Sequence, residues 1–137
     1  MRDAMPTMRS VMTPFPQTVG PEETVAAARA LMAAHGIHHL PVLGPDGFLG
    51  LVTPAAAGGA PAEGPVRALA LAPAVEVDIG APLDRVLEQM AARHLDAAVV
   101  LKEERLAGIF TLGDACRRFA ELLREVFPGG PHGDSAA

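Results

Sequence analysis

An internal repeat at a fixed spacing constrains this chain more than any other feature of its sequence. Thr53 and Thr111 lie 58 residues apart, and each ends a motif of glycine, two apolar residues and threonine. Self-similarity at one period is the signature of a repeat architecture. A copy of roughly 55 residues is small for an independent core, so we expect two copies packed on each other. The same offset aligns further identical residues, which are Val19 with Val77, Met32 with Met90, Val42 with Val100 and Gly50 with Gly108.

Hydrophobic spacing predicts the same order of helices and strands in both copies. In copy one, Thr24 is a candidate N-cap and Gly36 a candidate C-cap for the first helix. Strands are predicted at 37–43 and 48–52 in copy one and at 75–77, 95–101 and 106–110 in copy two, where helices begin at about 82 and 113. The predicted fold class is therefore α/β (α+β), with two tandem β-α-β-β-α repeats.

Composition shifts divide the chain into five segments. The helix after Thr53 is predicted to be short, because Gly58 and Gly59 follow after about one turn. The predicted boundaries are a flexible N-terminal arm at 1–7, repeat 1 at 8–58, a linker at 59–65, repeat 2 at 66–127 and a disordered tail at 128–137.

Charge and cysteine content exclude several classes of protein. The formal net charge is −5 and the basic residues form no stripe, which argues against nucleic-acid binding. Cys116 is the single cysteine, so no internal disulfide is possible and a reducing, cytoplasmic setting is expected. The N-terminus lacks a continuous apolar stretch typical of a secretory signal, and no apolar run reaches membrane-spanning length.

Thr111 and Asp114 mark the end of the last strand and the start of the closing helix. One interpretation is local capping, in which the Thr111 oxygen accepts a backbone N–H and the carboxylate lies at the positive end of the helix. The other is a ligand site, in which N–H groups and the hydroxyl face a phosphate and Asp114 accepts from sugar hydroxyls. In copy one the residue aligned with Asp114 is Ala56.

The ordered motifs, present twice, resemble those of the CBS domain family, named for cystathionine β-synthase. The resemblance covers about residues 8–126. It implies two repeats packed with pseudo-twofold symmetry, modules that often associate as dimers, and clefts that bind adenosine-containing ligands without catalysis. The residues that carry it are Val11-Met12-Thr13, Gly36-Ile37-His38-His39-Leu40-Pro41-Val42 and Gly108-Ile109-Phe110-Thr111-Leu112-Gly113-Asp114.

Carried over residue by residue, the resemblance implies one competent cleft and one degenerate cleft. Thr111 would contact phosphate and Asp114 the ribose, whereas in the cleft of Thr53 the aligned Ala56 cannot accept from a sugar. Loss of such an acceptor removes roughly 1.5–3 kcal/mol per bond. The residues expected near the base are Val75, Val77, Leu95, Asp96, Ala97 and Ala98.

The resemblance implies a regulatory module that reversibly binds AMP, ADP, ATP or S-adenosylmethionine. No permanent cofactor is expected, and the expected partners are a second copy of the chain and an unknown regulated protein. The alternative is a ligand-free dimerisation or interaction module in which both clefts have decayed, as Ala56 and the short helix indicate.

Several conspicuous side chains allow two interpretations. His39, more than His38, could contact phosphate as its imidazole becomes charged below about pH 6.5, or both could be structural. Asp96 would repel a phosphate, so it is expected to face solvent or the amino edge of the base. No metal site is expected from the histidines. The stripe Phe119, Leu122, Leu123 and Val126 could cover its own sheet or pack against a second molecule.

Overall fold

The computed structural model describes residues 4–129, and the predictions made for residues 1–3 and 130–137 lie outside that range. No helix in the described part of the chain is long and apolar enough to cross a membrane. In order, the elements are α1 (Met8–Val11), β1 (Thr13–Pro14), α2 (Val25–His35), β2 (Leu40–Gly44), β3 (Gly47–Val52), α3 (Pro54–Gly58), a 3₁₀ turn (Val66–Ala68), β4 (Val75–Asp78), α4 (Leu83–Arg93), β5 (Ala97–Lys102), β6 (Arg105–Thr111) and α5 (Leu112–Val126).

Local signals in the sequence account for where α2 begins and ends. The Thr24 hydroxyl accepts a hydrogen bond from the Ala27 N–H at 3.1 Å, as an N-cap does. Gly36 ends the helix in the left-handed conformation, with φ of 60°. Both predicted caps are confirmed. Strand β2 begins at Leu40 rather than at residue 37, because 37–39 lead from the helix into the strand without ladder pairing.

The strands form two sheets of unequal size. A four-stranded sheet has the order β1-β6-β5-β4, with β4 and β5 parallel and the other pairs antiparallel. Copy one contributes the β2-β3 hairpin, to which Val19 adds a single parallel bridge opposite Val42. The mixed α/β (α+β) class predicted from the sequence is confirmed, with β4 reduced to one bridging residue in its copy-one equivalent.

The leading segment of each repeat packs on the other repeat. Met8 N–H donates to the Ala81 carbonyl at 2.9 Å, and 58 residues later Val66 N–H donates to the Glu23 carbonyl at 2.8 Å. The next pair along the chain repeats this relation, since Arg9 N–H bonds to Ile79 and Arg67 N–H to Pro21. Equivalent bonds in both directions are the mark of a pseudo-twofold axis between the repeats.

This exchange also assigns the side chains of the hydrophobic core. Met8 is fully buried in the copy-two core with Val75, Val86 and Phe110. Val66 is fully buried in the copy-one core with Val25. Pro6 and Thr7, which the sequence assigns to the arm, are bonded or bridged to Leu83 and Pro82 of copy two. A third cluster joins the repeats and comprises Leu51, Ala74, Ala97, Val99 and Ile109.

Helix α3 is short, as predicted, and Arg29 supports its end. The Arg29 guanidinium donates to the Ala57 carbonyl at 3.1 Å and to the Ala60 carbonyl at 2.7 Å. These carbonyls would otherwise lack partners where a helix stops after five residues. The residue equivalent to Arg29 in copy two is Leu87, which lines a groove together with residues of the longer helix α5. The repeats therefore differ in two linked features. The short helix α3 has Arg29 bonded at its end, whereas the longer helix α5 has Leu87 at the equivalent position.

Candidate functional site

The start of α5 is the centre of the candidate site, and its first turn is a capping box. Strand β6 ends at Thr111, whose oxygen accepts from the Asp114 N–H at 3.3 Å. The Asp114 Oδ2 atom accepts in return from the Thr111 N–H at 2.9 Å and from the Thr111 hydroxyl at 3.1 Å. The capping interpretation of this pair is thus confirmed, while the ligand interpretation remains a prediction.

Arg117 is a member of this site that the sequence interpretation missed. Its guanidinium donates to the other carboxylate oxygen, Asp114 Oδ1, in a short ion pair. The Arg117 side chain is 71% exposed, whereas Asp114 is only 19% exposed. The signal was available in the sequence, because opposite charges three residues apart on a helix lie side by side.

Asp96 lies beside the same helix start, and its charge acts on His39 of the other repeat. The Leu112 N–H donates to the Asp96 carbonyl at 2.8 Å. This bond holds the first residue of α5 next to the residue that precedes β5. Burial lowers the pKa of His39, the nearby His38 lowers it as well, and the charges of Asp96 and Asp114 raise it in part. His39 from copy one is therefore within electrostatic range of two carboxylates from copy two. We refer to His39, Asp96, Thr111 and Asp114 together as the inter-repeat cleft because they come from both repeats, although they do not line one common cavity.

The residues predicted to lie near a base are placed differently from one another. Val75, Val77 and Ala98 pack in the copy-two core, and Ala97 packs between the repeats, all with side chains less than a tenth exposed. The alternation of faces along a strand explains the division between Ala97 and Ala98. These four can offer a ligand little besides main chain. Leu95 and Asp96, by contrast, line an open groove.

Equivalent grooves occur in the two repeats, next to the first turns of α3 and α5. The copy-two groove, of about 300 Å³, is lined by Met90, Leu95, Asp96 and Leu112 among others. The copy-one groove, of about 460 Å³, is lined by their counterparts Met32, Ile37, His38 and Pro54. Neither groove includes Thr53, Thr111 or Asp114, so the candidate residues are not gathered in one cavity.

Copy one lacks the charged pair altogether. Thr53 caps α3 by accepting from the Ala56 N–H at 3.3 Å, as Thr111 caps α5. The positions equivalent to Asp114 and Arg117 are Ala56 and Gly59, so neither the carboxylate nor its partner is present. Of the three side chains at the start of α5, only the threonine hydroxyl has a counterpart in copy one, at Thr53.

Metal and thiol chemistry would require His, Cys or carboxylate side chains. Between residues 4 and 129 no three His, Cys, Asp or Glu side chains are grouped so that they could hold a metal ion. Cys116 is an exposed free thiol on α5.

Known proteins resemble this chain in sequence and in fold. Hypoxic response protein 1 of Mycobacterium tuberculosis is 33% identical over 125 residues, covering 85% of this chain and 87% of that protein. The crystal structure of Hypoxic Response Protein I with two coordinated zinc ions gives a TM-score of 0.69 at 32% identity, covering 82% of this chain and 98% of that one.

Two solved structures of lower identity contain adenosine ligands. A CBS domain pair in complex with 5′-methylthioadenosine and S-adenosyl-L-methionine has a TM-score of 0.76 at 19% identity, covering 86% of this chain and 98% of its own. The CBS domain of a bacterial CNNM/CorC family Mg²⁺ transporter in complex with ATP has a TM-score of 0.74 at 22% identity, covering 83% and 87% respectively. At these identities the similarity establishes the fold alone.

The sequence matches the family described as CBS domain twice, over residues 8–55 and 66–121. The two matches coincide with the two copies found at the 58-residue offset. The bonds exchanged between the copies give the pair its pseudo-twofold relation. The chain therefore belongs to the CBS domain family, as a tandem pair of repeats.

Proposed function

We propose that this chain is a non-catalytic regulatory module that binds an adenosine-containing ligand in its inter-repeat cleft. The observation that carries the proposal is the capping box of Thr111 and Asp114 at the start of α5, whose carboxylate acts electrostatically on His39 of the other repeat. Related CBS domain pairs hold ATP, 5′-methylthioadenosine or S-adenosylmethionine, which supports an adenosine compound as the ligand class. Copy one, with Ala56, supplies the degenerate cleft.

The exchanged leading segments provide a means by which occupancy could reach a partner protein. A ligand between His39 and Asp114 contacts both repeats, and the packing of each repeat includes a segment of the other. Ligand binding would then favour one arrangement of the repeats over another. The size of the effect is limited by the difference in affinity of the ligand for the two arrangements.

Asp114→Ala is expected to weaken the binding of adenosine compounds ten- to a hundredfold, because each charge-assisted bond to a ribose hydroxyl is worth roughly 1.5–3 kcal/mol. Isothermal titration calorimetry with AMP, ATP and S-adenosylmethionine on wild type and variant measures the change. Equal affinities in the two proteins would remove Asp114 from the site.

A control is required because Asp114 also caps α5, and loss of a cap lowers stability by about 1 kcal/mol. Thr24→Ala removes the comparable cap of α2, which lies in copy one away from the cleft. This variant is expected to lose similar stability by thermal unfolding while keeping its ligand affinity within twofold. Weakening by both substitutions alike would assign the effect to helix capping.

The exposed stripe of α5 favours a second function, self-association. No residue of α5 is buried, and Phe119 and Val126 are 60% and 55% exposed. A groove of about 700 Å³ runs between α5, α4 and residues 4–6, and its lining includes Leu83, Leu87 and Leu122. Contiguous exposed apolar surface of this kind marks interaction sites. We propose that a second copy of the chain covers it, with or without ligand.

Phe119→Asp is expected to weaken the dimer at least tenfold, since a buried aromatic anchor contributes about 2 kcal/mol or more to an interface. Sedimentation velocity over a concentration series measures the monomer–dimer equilibrium. Leu49→Asp, a comparably exposed apolar residue on β3, serves as the control and should leave the equilibrium unchanged. A wild-type chain that is monomeric at high concentration would contradict self-association.

A further inference from the structure

Three of the backbone N–H groups that could hold a phosphate at this helix start are already engaged in this cleft. The N–H groups of Thr111, Leu112 and Asp114 donate to Asp114 Oδ2, to the Asp96 carbonyl and to Thr111 Oγ1 respectively. Arg117, a cation on the next turn of α5, is paired with Asp114. An incoming phosphate therefore competes with bonds that the chain makes to itself.

The remaining charge in the cleft is negative. Arg117 neutralises Asp114 through their ion pair. The Asp96 side chain is exposed and has no ion pair with any residue between 4 and 129. His39 is a weak source of countercharge, because burial lowers the pKa of its imidazole and so favours the neutral form.

The 5′ substituent of a bound nucleoside would lie close to this negative charge. A ribose bound at Asp114 places that substituent within one sugar ring of the Asp114 carboxylate, beside the helix start to which Asp96 is tied by the Leu112 bond. The interaction of two like charges at such separations near a protein surface is unfavourable by an amount that salt reduces. A neutral or cationic substituent avoids the repulsion and leaves the Arg117–Asp114 pair in place.

Building on the proposed function, we infer that the cleft selects adenosine compounds whose 5′ substituent is neutral or cationic, such as a thioether or a sulfonium, over 5′-phosphates. Asp96 is the residue that determines this specificity. Related CBS domain pairs hold a sulfonium nucleoside in one case and a triphosphate in another. For this chain, the negative charge of Asp96 favours the first kind of ligand over the second.

Calorimetry with 5′-methylthioadenosine and AMP tests the inference, because the two ligands share adenosine and differ at the 5′ position. Wild type is expected to bind 5′-methylthioadenosine at least tenfold more tightly than AMP. Asp96→Asn should reduce that ratio at least fivefold by strengthening AMP binding, and 1 M NaCl should reduce it in wild type. The substitution keeps the main-chain carbonyl that accepts from Leu112, so the fold is retained.

Asp46→Asn is the matched control, since Asp46 lies in the exposed turn between β2 and β3 and should leave the ratio unchanged. Binding of AMP as tight as that of 5′-methylthioadenosine, or a ratio insensitive to Asp96→Asn, would overturn the inference while leaving the proposed function standing. Failure of both ligands to bind would overturn the two together.

Discussion

Met8→Ala is expected to lower the free energy of unfolding by about 2–5 kcal/mol, the range for truncating a fully buried methionine. Met8 is 0% exposed although it precedes the first strand and belongs by sequence to copy one. Its side chain packs with Val75, Val86 and Phe110 of copy two. Urea denaturation measures the loss, and native-state hydrogen exchange should show it first in β5 and β6 rather than in β2.

Met5→Ala is the control for that prediction, because Met5 lies three residues away and is 50% exposed. Its truncation should change the unfolding free energy by less than about 0.5 kcal/mol. Destabilisation that begins in the copy-one hairpin, or a loss from Met8→Ala as small as that from Met5→Ala, would contradict the exchange of leading segments between the repeats.

Gly108→Ala is expected to lower stability by about 3 kcal/mol, at the upper end of the range for overpacking. A Cβ atom at Gly108 would lie 2.8 Å from Met12 Cγ and 2.9 Å from the Thr13 carbonyl oxygen, and would overlap Met12 Sδ. Strand β1 pairs with β6 at this point, so the backbone must move to admit even a methyl group. Thermal unfolding monitored by circular dichroism measures the change.

Two further variants make the origin of that loss testable. Gly58→Ala adds the same methyl group where no atom lies within 4 Å, so stability should not fall. Adding Met12→Ala to Gly108→Ala should recover part of the loss beyond the additive expectation, because the clash with the Met12 side chain is removed while that with the Thr13 carbonyl remains. Strict additivity would show that the Met12 contact is not the cause.

The glycine of the repeated motif shows how sequence and structure complement each other. Gly50 and Gly108 are visible in the sequence as equivalent positions at the 58-residue offset. Their physical role appears only in the fold, where the leading segment of the opposite repeat crosses each strand, with Leu71 next to Gly50 and Met12 next to Gly108. A repeat pattern in the sequence shows that two positions are equivalent. It does not show which repeat each leading segment packs against, and that packing decides what lies next to each glycine.

Within the candidate site, local chemistry was predictable and long-range placement was not. The spacing of Thr111 and Asp114 predicted a cap at the start of α5, and the structure shows it. The spacing of Asp114 and Arg117, three residues apart on a helix, is also sufficient to predict their ion pair, which the sequence analysis missed. That the Asp114 charge acts on His39 could not be predicted from any local rule, since 75 residues separate His39 from Asp114.

The sequence by itself determined the duplicated β-α-β-β-α plan, the caps of its helices and the loss of the second carboxylate at Ala56, because these depend on periodicity and on contacts within a few residues. Only the tertiary structure decided that the repeats exchange Met8 and Val66, and that α5 remains uncovered. It alone placed Asp96 at the start of α5, where the Leu112 N–H donates to its carbonyl. These features depend on how two similar surfaces dock, which the free energy of the whole core selects and no short segment encodes.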